Sequence, residues 1–262
     1  MNYILECCCD SVESALAAER GGANRIELCA NLVIGGTTPS LALFHAVRKA
    51  VSIRIHVLLR PRFGDFCYTE YEKQILLEEV RLFRQAGADG IVIGALKPDG
   101  ELDVQFLESL IGEKGNMKAT LHRAFDMCKD QGASMEEAIR LGFNTILTSG
   151  GENLAVDGVG LLRKLNEKAQ GRISLMAGSG ISADAIRRIL SSVPLDSFHM
   201  SGKKVMESPM IFRKESVSMG LQSLSEYEIW QTDEIRIREA KEVLETVYGK
   251  NRQEEIQHEM DQ

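Results

Sequence analysis

Lys118–Asp126, KATLHRAFD, reads as a strand that ends in a cluster of charge. On two-residue alternation Thr120 and His122 share one face, Leu121 and Arg123 share the other, and Asp126 follows where a loop begins. A plain account of such a cluster is that His122, Arg123 and Asp126 pair with one another at a wet rim. What gives it more weight is repetition, because several other strands of the chain end in charge or in glycine.

Working outward, strand-like segments start near Tyr3, Arg25, Ile53, Gly90, Lys118, Thr145, Ile173 and Ser197, at steps of 22, 28, 37, 28, 27, 28 and 24 residues. A helical pattern follows each one. Strands alternating with helices at this spacing make a parallel sheet, and eight is the number that closes a (β/α)8 TIM barrel; an open doubly wound sheet is the alternative. The helix signals agree. Thr38-Pro39 reads as an N-cap with proline at the first helical position, Thr69-x-x-Glu72 and Ser134-x-x-Glu137 as capping boxes, and Gly22, Gly87 and Gly142 as helix stops. Ala15, Leu16 and Ala18, and likewise Ile75, Leu76, Val80 and Phe83, form apolar stripes that face a sheet. The domain expected is a single α/β barrel over residues 1–248, with a long loop at Glu207–Gln231 across its mouth and a polar, flexible tail at 249–262.

Composition bounds the function. The chain has 262 residues, 44% hydrophobic and 26% charged, with a formal net charge of −7. That is enough for one large core, and the scattered positive residues exclude a basic face for nucleic acid or an anionic membrane. No apolar run reaches the roughly 18–20 residues of a membrane helix, and MNYILECCCD enters a strand without a basic leader. A cytoplasmic location is the expectation. Six cysteines would allow three disulfides, but Cys7, Cys8 and Cys9 are adjacent and reduced thiols are expected.

Strand parity then selects the residues that look into the barrel. Glu6 and Cys8 point inward from the first strand, Arg25, Glu27 and Cys29 from the second, and His56 and Arg60 from the third; Cys7 and Cys9 point outward under helices. Buried carboxylates without partners are costly, so Glu6 and Glu27 should meet cations or a polar ligand. Arg62 and Asp65 follow in the loop PRFGDF, on the longest step between strands. Gly178 and Gly180 sit in a glycine-rich turn before a helix, and His199 and Ser201 precede Gly202-Lys203-Lys204. Such loops after the seventh and eighth strands can hold an anion on backbone N–H groups, although tight turns need glycine as well.

The stretches ECCCDSVESALAAERGGANRIELCANLVIGGTTPS, LLRPRFGDF, GADGIVIGAL, LHRAFDM, LGFNTILTSG, MAGSGI and FHMSGK, in this order, resemble the CutC copper homeostasis family. The resemblance implies a TIM barrel, a cytoplasmic homo-oligomer, a dimer by expectation, and a role in copper handling. It carries a copper-ligand role to Cys29; by position, Cys8 on the neighbouring strand and Cys67 in the loop are further candidate ligands. The glycine and proline usual around the family's seventh strand stand here as Ala177 and Ser179, and Met200 occupies a position that is often cysteine.

The residues themselves leave three classes open. Cu(I) prefers soft thiolate or thioether donors, and the chain has no CxxC. Alternatively, Glu6, Glu27, His122 and Asp126 would serve as acid and base groups of an enzyme, with Arg60, Arg62, Asp65, Arg123, Gly178, Gly180, His199 and Ser201 holding a small anionic metabolite, phosphorylated ones included. A scaffold whose charged rim only meets water is the third. A zinc hydrolase is disfavoured, since His56, His122 and His199 lie on separate strands without HxH or HExxH spacing.

Overall fold

Eight parallel strands close in chain order into a barrel: β1 (Ile4–Cys9), β2 (Arg25–Leu28), β3 (Arg54–Leu58), β4 (Gly90–Ile93), β5 (Lys118–Leu121), β6 (Thr145–Thr148), β7 (Ser174–Gly178) and β8 (Ser197–Met200). The computed structural model describes residues 3–214, 216–220 and 224–260, with side chains as far as residue 249. Helices α1 (Val12–Gly21), α2 (Leu41–Ala50), α3 (Glu70–Ala86), α4 (Val104–Glu113), α5 (Gln131–Leu141), α6 (Val159–Ala169) and α7 (Ala183–Leu190) follow β1 to β7 in turn. This is the single-domain TIM barrel expected from the spacing.

The alternation of residue types explains the closure. Leu5, Cys7 and Cys9 on β1, Ile26 and Leu28 on β2, and Ile55 and Val57 on β3 are fully buried under the helices. Each large aliphatic side chain among them contributes roughly 1.5–3 kcal/mol by leaving water. Helix α1 begins at the N-cap Ser11 and stops where Gly22 turns left-handed at φ 93°, which leaves the chain aimed back along the sheet. Gly87 and Gly142 end α3 and α5 in the same way, and Thr69 with Glu72 forms the expected capping box.

Register places the polar inner residues beside one another. In the β1–β2 ladder Glu6 lies opposite Arg25 and Cys8 opposite Glu27; on the other side of β1, Glu6 lies opposite His199 of β8. Glu27 in turn lies opposite His56 of β3. Strand β4, all apolar or glycine in sequence, has a spatial role. A Cβ at Gly90 would stand 2.5 Å from His56 Nε2, and one at Gly94, just past the strand, 2.5 Å from His122 Cε1. The two glycines are the space in which two imidazoles sit.

Local differences from the sequence reading have simple causes. Helix α2 is capped by Ser40, whose side chain accepts from the Leu43 N–H, so Thr38-Pro39 lies before the helix. Helix α5 starts one turn earlier than expected at the N-cap Asp130, which leaves Ser134 inside it. Ile75 is exposed, because the stripe of α3 is centred on Leu76, Val80 and Phe83. The stretch expected as one long loop, Glu207–Gln231, ends in a strand, β10 (Glu228–Thr232), which pairs antiparallel with β9 (Lys203–Glu207) just before it, held partly by Lys203 Nζ over the Trp230 ring at 3.3 Å. The last helix, α8 (Glu234–Met260), packs on α1 and α7 and seals the ring. The tail read at 249–262 falls almost wholly outside the described side chains.

The glycine assignment predicts opposite effects of one substitution at two places. Gly90→Ala should lower stability by about 1–3 kcal/mol, as overpacking against His56. Gly112→Ala, in α4 with nothing within 4 Å of the added methyl, should raise it by about 0.5–1 kcal/mol. Urea unfolding midpoints measure both, and equal stability of the two variants would contradict the packing role of Gly90.

Candidate functional site

A cavity of about 620 Å³ opens at the C-terminal end of the barrel. One wall carries Cys8, Glu27 and His199, from β1, β2 and β8, whose donor atoms all lie within 4.8 Å of one another. Ligands sharing an ion at about 2.0–2.3 Å stand at most roughly 4.6 Å apart, so a small closing of this group brings its donors to the spacing of a single metal ion.

Beneath this group Glu6 is wholly buried and shared by two cations. Arg25 Nε donates to Glu6 Oε2, and His199 Nδ1 lies 2.7 Å from Glu6 Oε1. Burial alone would raise the Glu6 carboxyl, but Arg25 and His199 outweigh it and hold the group well below the usual carboxylate range. Burial opposes charge on His199 as well. Cys8 and Glu27 beside it, with the bond to Glu6, raise its proton affinity well above the ordinary imidazole. With Nδ1 fixed on Glu6, His199 turns Nε2 toward the Glu27 carboxylate, 3.8 Å away. Glu27 has no cation of its own, and burial, against the pull of His199 and reinforced by the Glu6 charge, pushes its carboxyl up to about 7. Burial also pushes the Cys8 thiol up, which favours its protonated form.

The opposite wall is made of Arg60, Phe66 and His122. Arg60 Nη1 donates to the carbonyls of Gly35 and Gly36, and Nη2 to that of Gly64 at 2.7 Å, while the guanidinium lies over the Phe66 ring, 5.0 Å from its centroid. The other side of the arrangement is His122, whose ring centroid is 4.8 Å from that of Phe66. His122 Nδ1 accepts from the Ala124 N–H at 3.1 Å, so the ring proton resides on Nε2. Burial, with the Arg60 charge nearby, lowers this imidazole to about 3.

A model of the CutC family matches residues 3–204. The chain belongs to the CutC family. It is 42% identical over 246 residues to the human copper homeostasis protein cutC homolog, covering 94% of this chain and 90% of that one. A CutC family protein of Bacteroides fragilis is 41% identical over 94% of this chain and 98% of its own length. The crystal structure of the CutC protein of Streptococcus agalactiae superposes with a TM-score of 0.71 at 28% identity, covering 76% of this chain and 98% of that one.

In this family member the sequence-selected residues separate into three groups. Cys8, Glu27, Arg60, His122, Arg123, Gly180, His199 and Ser201 line the cavity. Glu6 supports it from below and is sealed from it, so it serves to orient His199 rather than to reach a ligand. The rest are elsewhere. Gly178 lies under Leu147, where a Cβ would come within 2.5 Å. Arg62 is consumed by Asp65, Glu72 and the Cys67 carbonyl, which makes it and Asp65 a staple of the β3–α3 loop. Asp126 accepts from Arg123 Nε, the Thr148 and Ser149 hydroxyls and the N–H groups of Ser149 and Gly151, so Arg123 and Asp126 pair at the rim while His122 takes no part in it. Cys29 follows the end of β2. It faces inward as parity requires, yet it is fully buried among Leu58 and Val92, its thiol donating to the Cys9 carbonyl at 3.5 Å. Burial pushes that thiol well above its ordinary value.

Two participants were not selected from sequence. Arg25 neutralises Glu6, and its signal was present in its inward parity. Phe66 was only a letter in PRFGDF, and nothing in spacing marks it as the ring between Arg60 and His122.

The low proton affinity of His122 has a measurable sign. The unfolded imidazole takes up a proton near pH 6.5 and the folded one only near 3, so this group weakens folding as pH falls through that window. His122→Gln should therefore shrink the stability lost between pH 7 and pH 5 by about 1–2 kcal/mol. Denaturant titrations at the two pH values test it, and identical pH slopes in parent and variant would refute the neutral, buried imidazole.

Proposed function

We propose that this CutC-family chain takes part in copper homeostasis, and that its barrel mouth holds the copper ion on Cys8, His199 and Glu27. The observation that carries the reading is the meeting of these three donors at one point of the cavity wall. A thiolate and an imidazole are donors that Cu(I) accepts, and a carboxylate completes a third position. Outer-shell support favours it too. Glu6 fixes His199 through Nδ1, the arrangement by which a ligating imidazole is oriented and made more basic, and Arg25 in turn fixes Glu6. The relatives' names as copper homeostasis proteins support the cellular role.

Cys8 and His199, both shifted toward their protonated forms, give up protons when an ion binds, so affinity should fall as pH falls. Of the cysteines, Cys8 lines the cavity, whereas Cys29 is enclosed in an apolar cluster. The ligand assignment accordingly moves from Cys29 to Cys8. All six cysteines are free thiols, which suits a reducing, cytoplasmic setting, and the family resemblance extends the reading to a homodimer.

An anaerobic Cu(I) titration against a high-affinity chelator tests the assignment. Cys8→Ala and His199→Ala should each lose more than the roughly 10–100-fold that removal of an outer-shell partner costs, while Cys29→Ala binds as the parent does. Binding lost in Cys29→Ala and kept in Cys8→Ala would overturn the site, and no competition by the parent protein would make the copper role indirect.

A further inference from the structure

The wall facing the three donors has chemistry that copper does not use. Arg60 is 9% exposed and His122 4%, and each presents one buried N–H without an acceptor: Arg60 Nε and His122 Nε2. Both side chains line the same cavity and both pack against the Phe66 ring. A buried donor left unpaired costs about 1–3 kcal/mol, more when it is charged. Two such donors on one cavity wall therefore mark a place completed by an acceptor.

The charge balance says what kind of acceptor. Among the described residues Arg62 pairs with Asp65 and Glu72, and Arg123 with Asp126, but Arg60 meets only carbonyl oxygens and a ring. At the rim Lys203, another residue of the cavity lining, also has no carboxylate partner among the described residues and rests on Trp230. Two unpaired cations around one cavity favour an anion.

A carboxylate fits the donor pair. The loop after β6 already spends its backbone N–H groups on Asp126: Ser149 N–H donates to it at 3.0 Å and Gly151 N–H at 3.2 Å. At the start of α7 the Ser182 hydroxyl accepts from the Ala185 N–H, and Asp184 adds a negative charge to the first turn. Arg60 Nε and His122 Nε2 are a pair of unpartnered N–H donors, a match for the two oxygens of one carboxylate. The surrounding lining is largely apolar, with Leu32, Leu58, Leu147 and Ile181, and the volume is that of a small-molecule pocket.

We propose that Arg60 and His122 form an organic-acid site in the barrel mouth, the carboxylate of the ligand accepting from Arg60 Nε and His122 Nε2 while its apolar body lies against Phe66. The site goes beyond the copper reading and does not rest on it. A bound acid faces Cys8, Glu27 and His199 across the cavity, so the two occupants share one chamber.

The test uses metal-free full-length protein with succinate, 2-oxoglutarate and benzoate as probes, and with succinamide, benzamide and inorganic phosphate as controls. At least one carboxylate should raise the melting temperature by a few °C and move the ¹⁵N resonance of His122 Nε2, with the controls doing neither. Arg60→Gln and His122→Phe, the latter keeping a flat ring against Phe66, should each weaken that carboxylate at least tenfold. Cys8→Ala should respond as the parent does, so loss of copper binding and loss of acid binding are read separately. No response to any carboxylate, an equal response to phosphate or the amides, or an unchanged response in a folded Arg60→Gln or His122→Phe would each overturn the site.

Discussion

Glu6 is a full negative charge placed where water does not reach, and the barrel closes around its neutralisation. Strand β1 is both the first strand and the one that β8 must find to complete the ring, and Glu6 receives one cation from each neighbour, Arg25 from β2 and His199 from β8. Removing either partner from a buried pair typically costs about 3–5 kcal/mol, because the other charge is left in low dielectric. The closing seam is thus specified by charge as well as by the apolar residues of its outer face. Through Nδ1 the same interaction sets the ring of His199, and with it the direction of Nε2. The position of the cavity's metal-competent wall follows from the way the fold closes.

A second internal charge does comparable work at the rim. Asp126, 6% exposed in its side chain, gathers Arg123, Thr148, Ser149 and Gly151 and so ties the turn after β5 to the loop after β6. It is an anion built into the rim, and it takes up the backbone donors of the loop after β6, while Arg60 Nε and His122 Nε2 stay without acceptors.

Strand order, closure and the inward parity of Glu6, Cys8, Glu27, Arg60, His122 and His199 were legible because they depend on local periodicity, which the sequence displays directly. What was not legible depends on where a chain goes after a strand ends. Arg62 and Asp65 read as ligands of a site, but the loop turns back on Glu72 and consumes them. Cys29 reads as an open thiol, but β2 stops one residue before it and Leu58 closes over it. The segment GIVIGAL reads as uninformative, although Gly90 and Gly94 were the sign of large groups opposite; a strand without side chains at two inner positions must have something filling the space. The hairpin of β9 and β10 escaped because its halves are about twenty residues apart and each is too short and mixed to announce itself.

The two walls of the mouth differ in a way that composition cannot reveal. On one, opposite charges are matched almost completely: Glu6 with Arg25 and His199, and Glu27 held near neutrality. On the other, a guanidinium and an imidazole are held rigid with donors to spare. A protein that only needed a stable barrel could fill the second wall with apolar residues at no electrostatic cost, since replacing buried polar groups by packed hydrophobic ones is often neutral or stabilising. Instead His122 is given a cleared space at Gly94, a fixed tautomer through Ala124 and a tilted ring against it in Phe66. That much local structure, spent on keeping one neutral N–H pointed at one place, is hard to account for without something there to receive the hydrogen bond.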